Sequence, residues 1–168
     1  MGSFLGHGKV WRSKEIKLEL KVQIFQATCL AILLYVCEAW VLTKQMCSSL
    51  DSFATSCYHY MLNIRRTDRI RYEIILQTVN QQPLYDSVKA RQLRRLGHVL
   101  RKQNDDLPRK YILYHPEQGR RKRGRPRLLY HKYIEKLTGR TCSQLVNMAQ
   151  DRDEWRSLVV GCATQPIE

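Results

Sequence analysis

Two kinds of side chain in this sequence could do chemistry: a few scattered acids, imidazoles and thiols, and a dense set of cations. Asp105-Asp106 is an adjacent acidic pair. Two-metal phosphoryl chemistry needs such a pair at a tight turn between apolar strands, beside a third carboxylate, so that two cations can share one phosphate. Gln103-Asn104 before the pair and Leu107-Pro108 after it supply no such strand. His7, His59, His98, His115 and His131 are spread along the chain, and Cys57-x-His59 has no zinc-ligand spacing. Asp151, Asp153 and Glu154 read as helix caps and surface charge, because carboxylates at one helix start rarely converge on a metal. No glycine-rich phosphate loop, serine elbow or cysteine-nucleophile context occurs. The expectation is a chain with no catalysis, cofactor, metal or small-molecule substrate of its own.

The cations carry a stronger signal. Of the 168 residues, 29 are Lys or Arg against 15 Asp or Glu, a formal net charge of +14. Residues 64–140 hold 21 of these bases and 7 of the acids, so this segment carries the whole excess. Such a balance implies a polyanionic partner, either nucleic acid or an anionic membrane surface. Gly119-Arg-Arg-Lys-Arg-Gly-Arg-Pro-Arg127 places six cations in nine positions. Gly124 and Pro126 disfavour both helix and strand there, leaving an irregular basic arm. Arg123-Gly-Arg-Pro126 matches the core of an AT-hook. Glycine lets the backbone lie deep in a narrow minor groove, and the flanking arginines meet the strong negative potential of A·T-rich DNA. Nuclear import is another use of such a run.

A second cationic surface comes from helical periodicity. At 100° per residue over about 83–102, Tyr85, Val88, Leu93, Leu96, Val99 and Leu100 share one face, into which Lys89 intrudes. Arg91, Arg94, Arg95, Arg101 and Lys102 share the other with His98. Such a column is either a solvated face or a phosphate-tracking one, and the lack of acidic i, i+4 partners favours the second. A membrane-surface helix would want Trp or Phe on its apolar side, and this one has neither. Candidate contacts are therefore Arg91, Arg94, Arg95, Arg101, Lys102, Arg120, Arg121, Lys122, Arg123, Arg125 and Arg127.

These surfaces need a scaffold. An apolar stretch from Ile16 to Leu42, with nine apolar residues in a row from Cys29 to Cys37, is too short and too polar at its start for a membrane span, which needs about 20 apolar residues. It reads as a buried helix. Leu50, Phe53, Ala54, Cys57, Tyr58, Met61 and Leu62 mark a second helix that packs antiparallel to the first, joined near Thr43–Ser48, with Leu33 and Trp40 expected in the core. A short helix fits Asp68 to Val79. Thr141-Cys-Ser-Gln144 and Asp151-Arg-Asp-Glu154 read as capping boxes that open two further helices. Six cysteines without a Cys-x-x-Cys pair suggest reduced thiols, and no secretory leader pattern follows Met1, so an intracellular, nuclear or cytoplasmic protein is expected.

Four blocks occur in order: Leu33-Leu34-Tyr35 with Glu38-Ala39-Trp40, Arg94-Arg-Leu-Gly-His-Val-Leu-Arg101, Gly124-Arg-Pro-Arg127, and Ala149-Gln-Asp-Arg-Asp-Glu-Trp-Arg156. From about Phe4 to Val159 the chain resembles the C-terminal part of a non-LTR (LINE-type) retrotransposon reverse transcriptase. The resemblance implies the thumb and the region beyond it, which grip template RNA, primer and target DNA. It also implies that the endonuclease and the palm with its paired aspartates would precede Met1. The family usually carries glycine where this chain has Val36, and Trp and Asp where it has Tyr130 and Lys132. The resulting expectation is a mainly α, non-catalytic fragment that binds RNA, DNA or an RNA–DNA hybrid. Its segments are a thumb-like helical pair at 1–63, basic helices at 64–103, an irregular basic arm at 104–127 and a small helical end at 128–168. A stand-alone AT-hook chromatin protein is the alternative.

Overall fold

The computed structural model describes residues 4, 6–114 and 129–163, and for Arg66 the backbone only. It is mainly α. Helices α1 (Gly8–Arg12), α2 (Leu18–Phe25), α3 (Ala31–Leu33), α4 (Lys44–Leu62), α5 (Tyr72–Thr78), α6 (Leu84–Leu100), α7 (Leu107–Ile112), α8 (Tyr130–Thr138), α9 (Cys142–Met148) and α10 (Arg152–Ala163) follow in order, with no strand among the described residues. A π-helical turn, Gln26–Leu30, joins α2 to α3. None of the helices is long and apolar enough to cross a membrane among the described residues.

The chain packs as two compact units that cut across the four consecutive segments read from the sequence. The first contains the residues up to Val36 with Thr43–Ser87; the second contains Cys37–Leu42 with the residues from Val88 on. The boundary therefore falls inside α6, and residues 37–42 belong with a part of the chain some fifty positions later.

The first unit is held by aromatic packing. Phe4 stacks on Trp11 with centroids 5.1 Å apart, and Phe25 meets Phe4 and Tyr58 edge-on. As the chain runs from Phe4 to Phe25, its ring partners on α4 run back from Tyr60 to Phe53, which agrees with the antiparallel expectation. Trp11 donates its indole N–H to the Phe4 carbonyl at 2.7 Å, and the buried Lys21 donates to the Trp11 carbonyl at 2.9 Å, so neither polar group is left unpaired in the apolar surroundings. On α4, Ala54, Cys57, Tyr58 and Met61 are buried as the periodicity predicts. The helix starts at the Thr43 hydroxyl, which accepts from Met46 N at 3.3 Å. It stops at Asn63 in the left-handed region, where Ile64 N returns to the His59 carbonyl at 3.0 Å. Asn80 ends α5 in the same manner, with Gln81 N bonded to the Leu76 carbonyl at 2.9 Å.

Three expectations fail here. The first apolar helix ends at Leu33, not near Leu42, because Val36 turns to φ 59°. Within the apolar run, Cys29, Leu30, Leu34 and Cys37 are buried while Ala31, Ile32, Tyr35 and Val36 face outward, so the stretch is two-sided. Leu33 and Trp40 are half-buried, and the core position beside Leu33 is taken by Leu34 at 3% exposure.

In the second unit, Leu93, Leu96 and Leu100 of α6 pack with Ile134 of α8, Leu145 and Ala149 around α9, and Trp155, Val159 and Cys162 of α10. Residues 37–42 are strapped to this unit by one buried amide. Gln92, fully buried, donates to the carbonyls of Cys37 (3.0 Å) and Trp40 (2.9 Å) and accepts from the Tyr133 hydroxyl (2.9 Å). The Tyr130 hydroxyl adds a bond to the Glu38 carbonyl at 3.0 Å. Burial, aided by the charge of Glu38, pushes the Tyr130 phenol well above its ordinary range, so it remains a donor. The Thr141–Gln144 capping box forms in both directions, and the Asp151 carboxylate accepts from Asp153 N and Glu154 N. All six cysteines are free thiols.

Candidate nucleic-acid interface

The site is built on α6. Val88, Leu93, Leu96, Val99 and Leu100 are each at most 2% exposed, so the inner face is filled. The outer face carries Arg91, Arg94, Arg95 and His98, all exposed. Their spacing of i, i+3, i+4 and i+7 puts them on one stripe about 10 Å long. The start of the helix is fixed in the first unit, where the Asp51 carboxylate accepts from Tyr85 N at 3.1 Å and covers amides that α6 cannot satisfy itself. Burial raises the Asp51 carboxyl from its ordinary value despite these bonds.

What holds the stripe in place is the tail. A Cβ built on Gly97 would lie 2.2 Å from the Trp155 indole nitrogen, so glycine is what lets α10 seat its Trp against α6. The indole N–H then donates to the Leu93 carbonyl at 3.0 Å. One turn further on, Arg101 Nη1 donates to the Ala149 carbonyl at 3.0 Å. The sequence blocks 94–101 and 149–156 are thus a single interlocked piece of packing.

The same geometry sorts the cations. Arg94 and Arg95 have no ion pair or hydrogen bond to another side chain among the described residues. Arg91 is exposed but also faces Cys37, whose thiol is pushed up by burial and by Glu38 while the guanidinium pulls it down. Arg101 is committed to closing the C-terminal end of α9, and Lys102 pairs with Asp106 at 3.6 Å. Both are half-buried and already engaged, unlike the exposed Arg94 and Arg95 that the helical wheel grouped with them. Arg109, which the sequence did not single out, donates to the carbonyls of Leu100 and Lys102 and closes the C-terminal end of α6. Arg120, Arg121, Lys122, Arg123, Arg125 and Arg127 lie outside the described residues.

Lys89 is buried at 1% on the inner face, as its position on the wheel implied. Asp105 meets Lys110 at 2.9 Å, so both members of the acidic pair face lysines at the surface. Among the described residues no three His, Cys, Asp or Glu side chains converge as a metal site requires. Cys57 is buried and its thiol is pushed up to about 12, first by burial and then by neighbouring Cys29, an inert setting for a thiol.

No family model, curated protein or solved structure matches the chain.

Proposed function

We propose that this chain is a non-catalytic nucleic-acid-binding fragment, similar in sequence to the C-terminal part of a LINE-type RNA-directed DNA polymerase. It grips RNA, DNA or their hybrid through the outer stripe of α6 and the cationic residues 120–127. The observation that carries this reading is Arg94 and Arg95, exposed and without an acidic partner among the described residues, on a helix whose opposite face is buried throughout. A merely solvated helix interleaves both signs, and a helix locked from behind holds its guanidinium groups ready for phosphate oxygens. The interlock of Gly97 with Trp155 and of Arg101 with Ala149 supplies a physical reason for two of the resembling blocks to occur together. We assign no catalytic step to the chain, since Asp105 and Asp106 are paired with surface lysines. Six free thiols suit a reducing compartment, and we place the protein in the nucleus or cytoplasm.

The test is a salt titration of binding to a labelled duplex, followed by fluorescence anisotropy. With about five phosphates neutralised, log K falls against log salt with a slope near −4.5. A slope near zero refutes the reading and leaves the charge as a solvated surface. A preference above about tenfold for A·T-rich over G·C-rich duplex and hybrid alike would move the assignment to an AT-hook chromatin protein.

A further inference from the structure

Three of the strongly exposed apolar side chains described in the second unit lie close together in the chain, apart from Val160 on α10. Leu107, Tyr111 and Tyr114 are 79%, 83% and 61% exposed and follow one another at i, i+4 and i+7 along α7 and the turn that ends it. That spacing aligns them on one face. It is the pattern of a helix meant to be covered, yet no hydrogen bond or ring contact joins either tyrosine side chain to another described residue. Ile112 and Leu113, on the other side of the same segment, pack against the core, so α7 is anchored and its tyrosine face is displayed. Arg109, bonded to the end of α6, fixes where the helix starts.

Composition says what would cover that face. Residues 64–140 hold a net excess of fourteen positive charges, which disfavours a basic or neutral protein surface and favours a polyanion. Among polyanions, only one with its bases unpaired offers flat π-surfaces to two exposed rings; a duplex keeps its bases stacked on each other. Tyrosine suits such a ligand, having a ring face for stacking and a hydroxyl for sugar or phosphate oxygens.

We propose that Tyr111 and Tyr114 form a stacking platform for a single-stranded nucleic acid, which makes a single strand the preferred ligand of this chain. This rests on the nucleic-acid reading of α6 and narrows it from RNA, DNA or their hybrid to unpaired RNA or DNA.

Anisotropy with a labelled oligouridylate and with a duplex of the same length, at matched salt, tests it. The variants are Tyr111→Ala, Tyr114→Ala, the two Tyr→Phe changes and Arg94→Ala/Arg95→Ala. Wild type should bind the single strand more tightly than the duplex. Each Tyr→Ala change should weaken single-strand binding by about tenfold, the effect of losing one base–ring stack. Duplex binding and the salt slope should not move, because stacking releases no counterions. The Phe variants should retain most of the affinity. Circular dichroism of these surface variants should match wild type. If the tyrosine variants bind the single strand as wild type does, or if duplex is preferred, the platform is refuted while the arginine reading stands. If wild type binds neither nucleic acid, both fall together. Vesicle binding by wild type that the Tyr→Ala changes abolish would overturn the proposal in favour of a lipid surface.

Discussion

Gly97→Ala puts the most informative methyl group in the chain. In the interior of an exposed helix this change normally stabilises by about 0.5–1 kcal/mol, because alanine has less backbone entropy to lose. Here the new carbon meets Trp155 Nε1 at 2.2 Å, Cε2 at 2.5 Å and Cδ1 at 2.7 Å. The indole is 3% exposed and bonded to the Leu93 carbonyl at 3.0 Å, so it has little room to retreat. Overpacking of a filled core costs about 1–3 kcal/mol, and a buried indole N–H that loses its acceptor costs about 1–3 kcal/mol more. Less the helix gain, the net loss is about 2–4 kcal/mol. The decisive assay is a double-mutant cycle by chemical denaturation with Trp155→Ala, itself worth about 3–5 kcal/mol. With the indole gone, Gly97→Ala should reverse sign and stabilise by about 0.5–1 kcal/mol. A neutral Gly97→Ala in the wild-type background, or strict additivity in the cycle, would refute the interlock of α6 with α10.

Other perturbations separate the remaining elements. Val36 holds φ 59° and is 52% exposed, so Val36→Gly relieves a left-handed β-branched residue while giving up little burial, and should raise thermal stability by about 0.5–1 kcal/mol. Leu93→Ala, at a site with no exposure, should cost about 2–5 kcal/mol, and Leu33→Ala, half-buried, distinctly less in the same denaturation assay. Alkaline unfolding should set in above pH 9, because the Cys57 thiol rises from 9.0 to about 12 on folding and the Tyr58 phenol from 10.0 to about 12. The folded state keeps protons that the unfolded chain releases, so stability falls as pH rises through that window. A pH titration of the melting temperature that stays flat from pH 9 to pH 12 would contradict this.

The helical wheel over 83–102 was readable because one period governs both faces: Val88, Leu93, Leu96, Val99 and Leu100 are the buried set it names. Thr141 and Asp151 were readable because a cap is a local bond between residues two or three positions apart. The stop after Leu33 was not, since Tyr35-Val36 carries no helix-breaking residue and an unbroken apolar run reads as one helix. The glycine that the resemblance leads one to expect at the Val36 position was the available hint, since a left-handed position favours glycine. Arg101 and Lys102 could not be told from Arg94 and Arg95 by periodicity. What separates them is a carbonyl 48 positions away and an acidic side chain beyond the helix end. The strapping of residues 37–42 by Gln92 is equally non-local. Leu107, Tyr111 and Tyr114 fall in the segment read from the sequence as an irregular arm, and only the structure shows the short helix at Leu107–Ile112 and the exposure of these side chains.

The distinction between free and committed arginines is the core of the functional account, and one measurement addresses it directly: the salt slope of nucleic-acid binding in Arg94→Ala/Arg95→Ala set against Arg101→Ala. The double variant should keep the wild-type fold, both side chains being exposed, and should flatten the slope by about 1.8 on duplex or about 1.4 on a single strand. Arg101→Ala should lower the melting temperature by releasing the Ala149 carbonyl and leave the slope unchanged. An unaltered slope in the double variant, or an equal flattening in Arg101→Ala, would contradict the assignment of the α6 stripe as the phosphate-contacting surface.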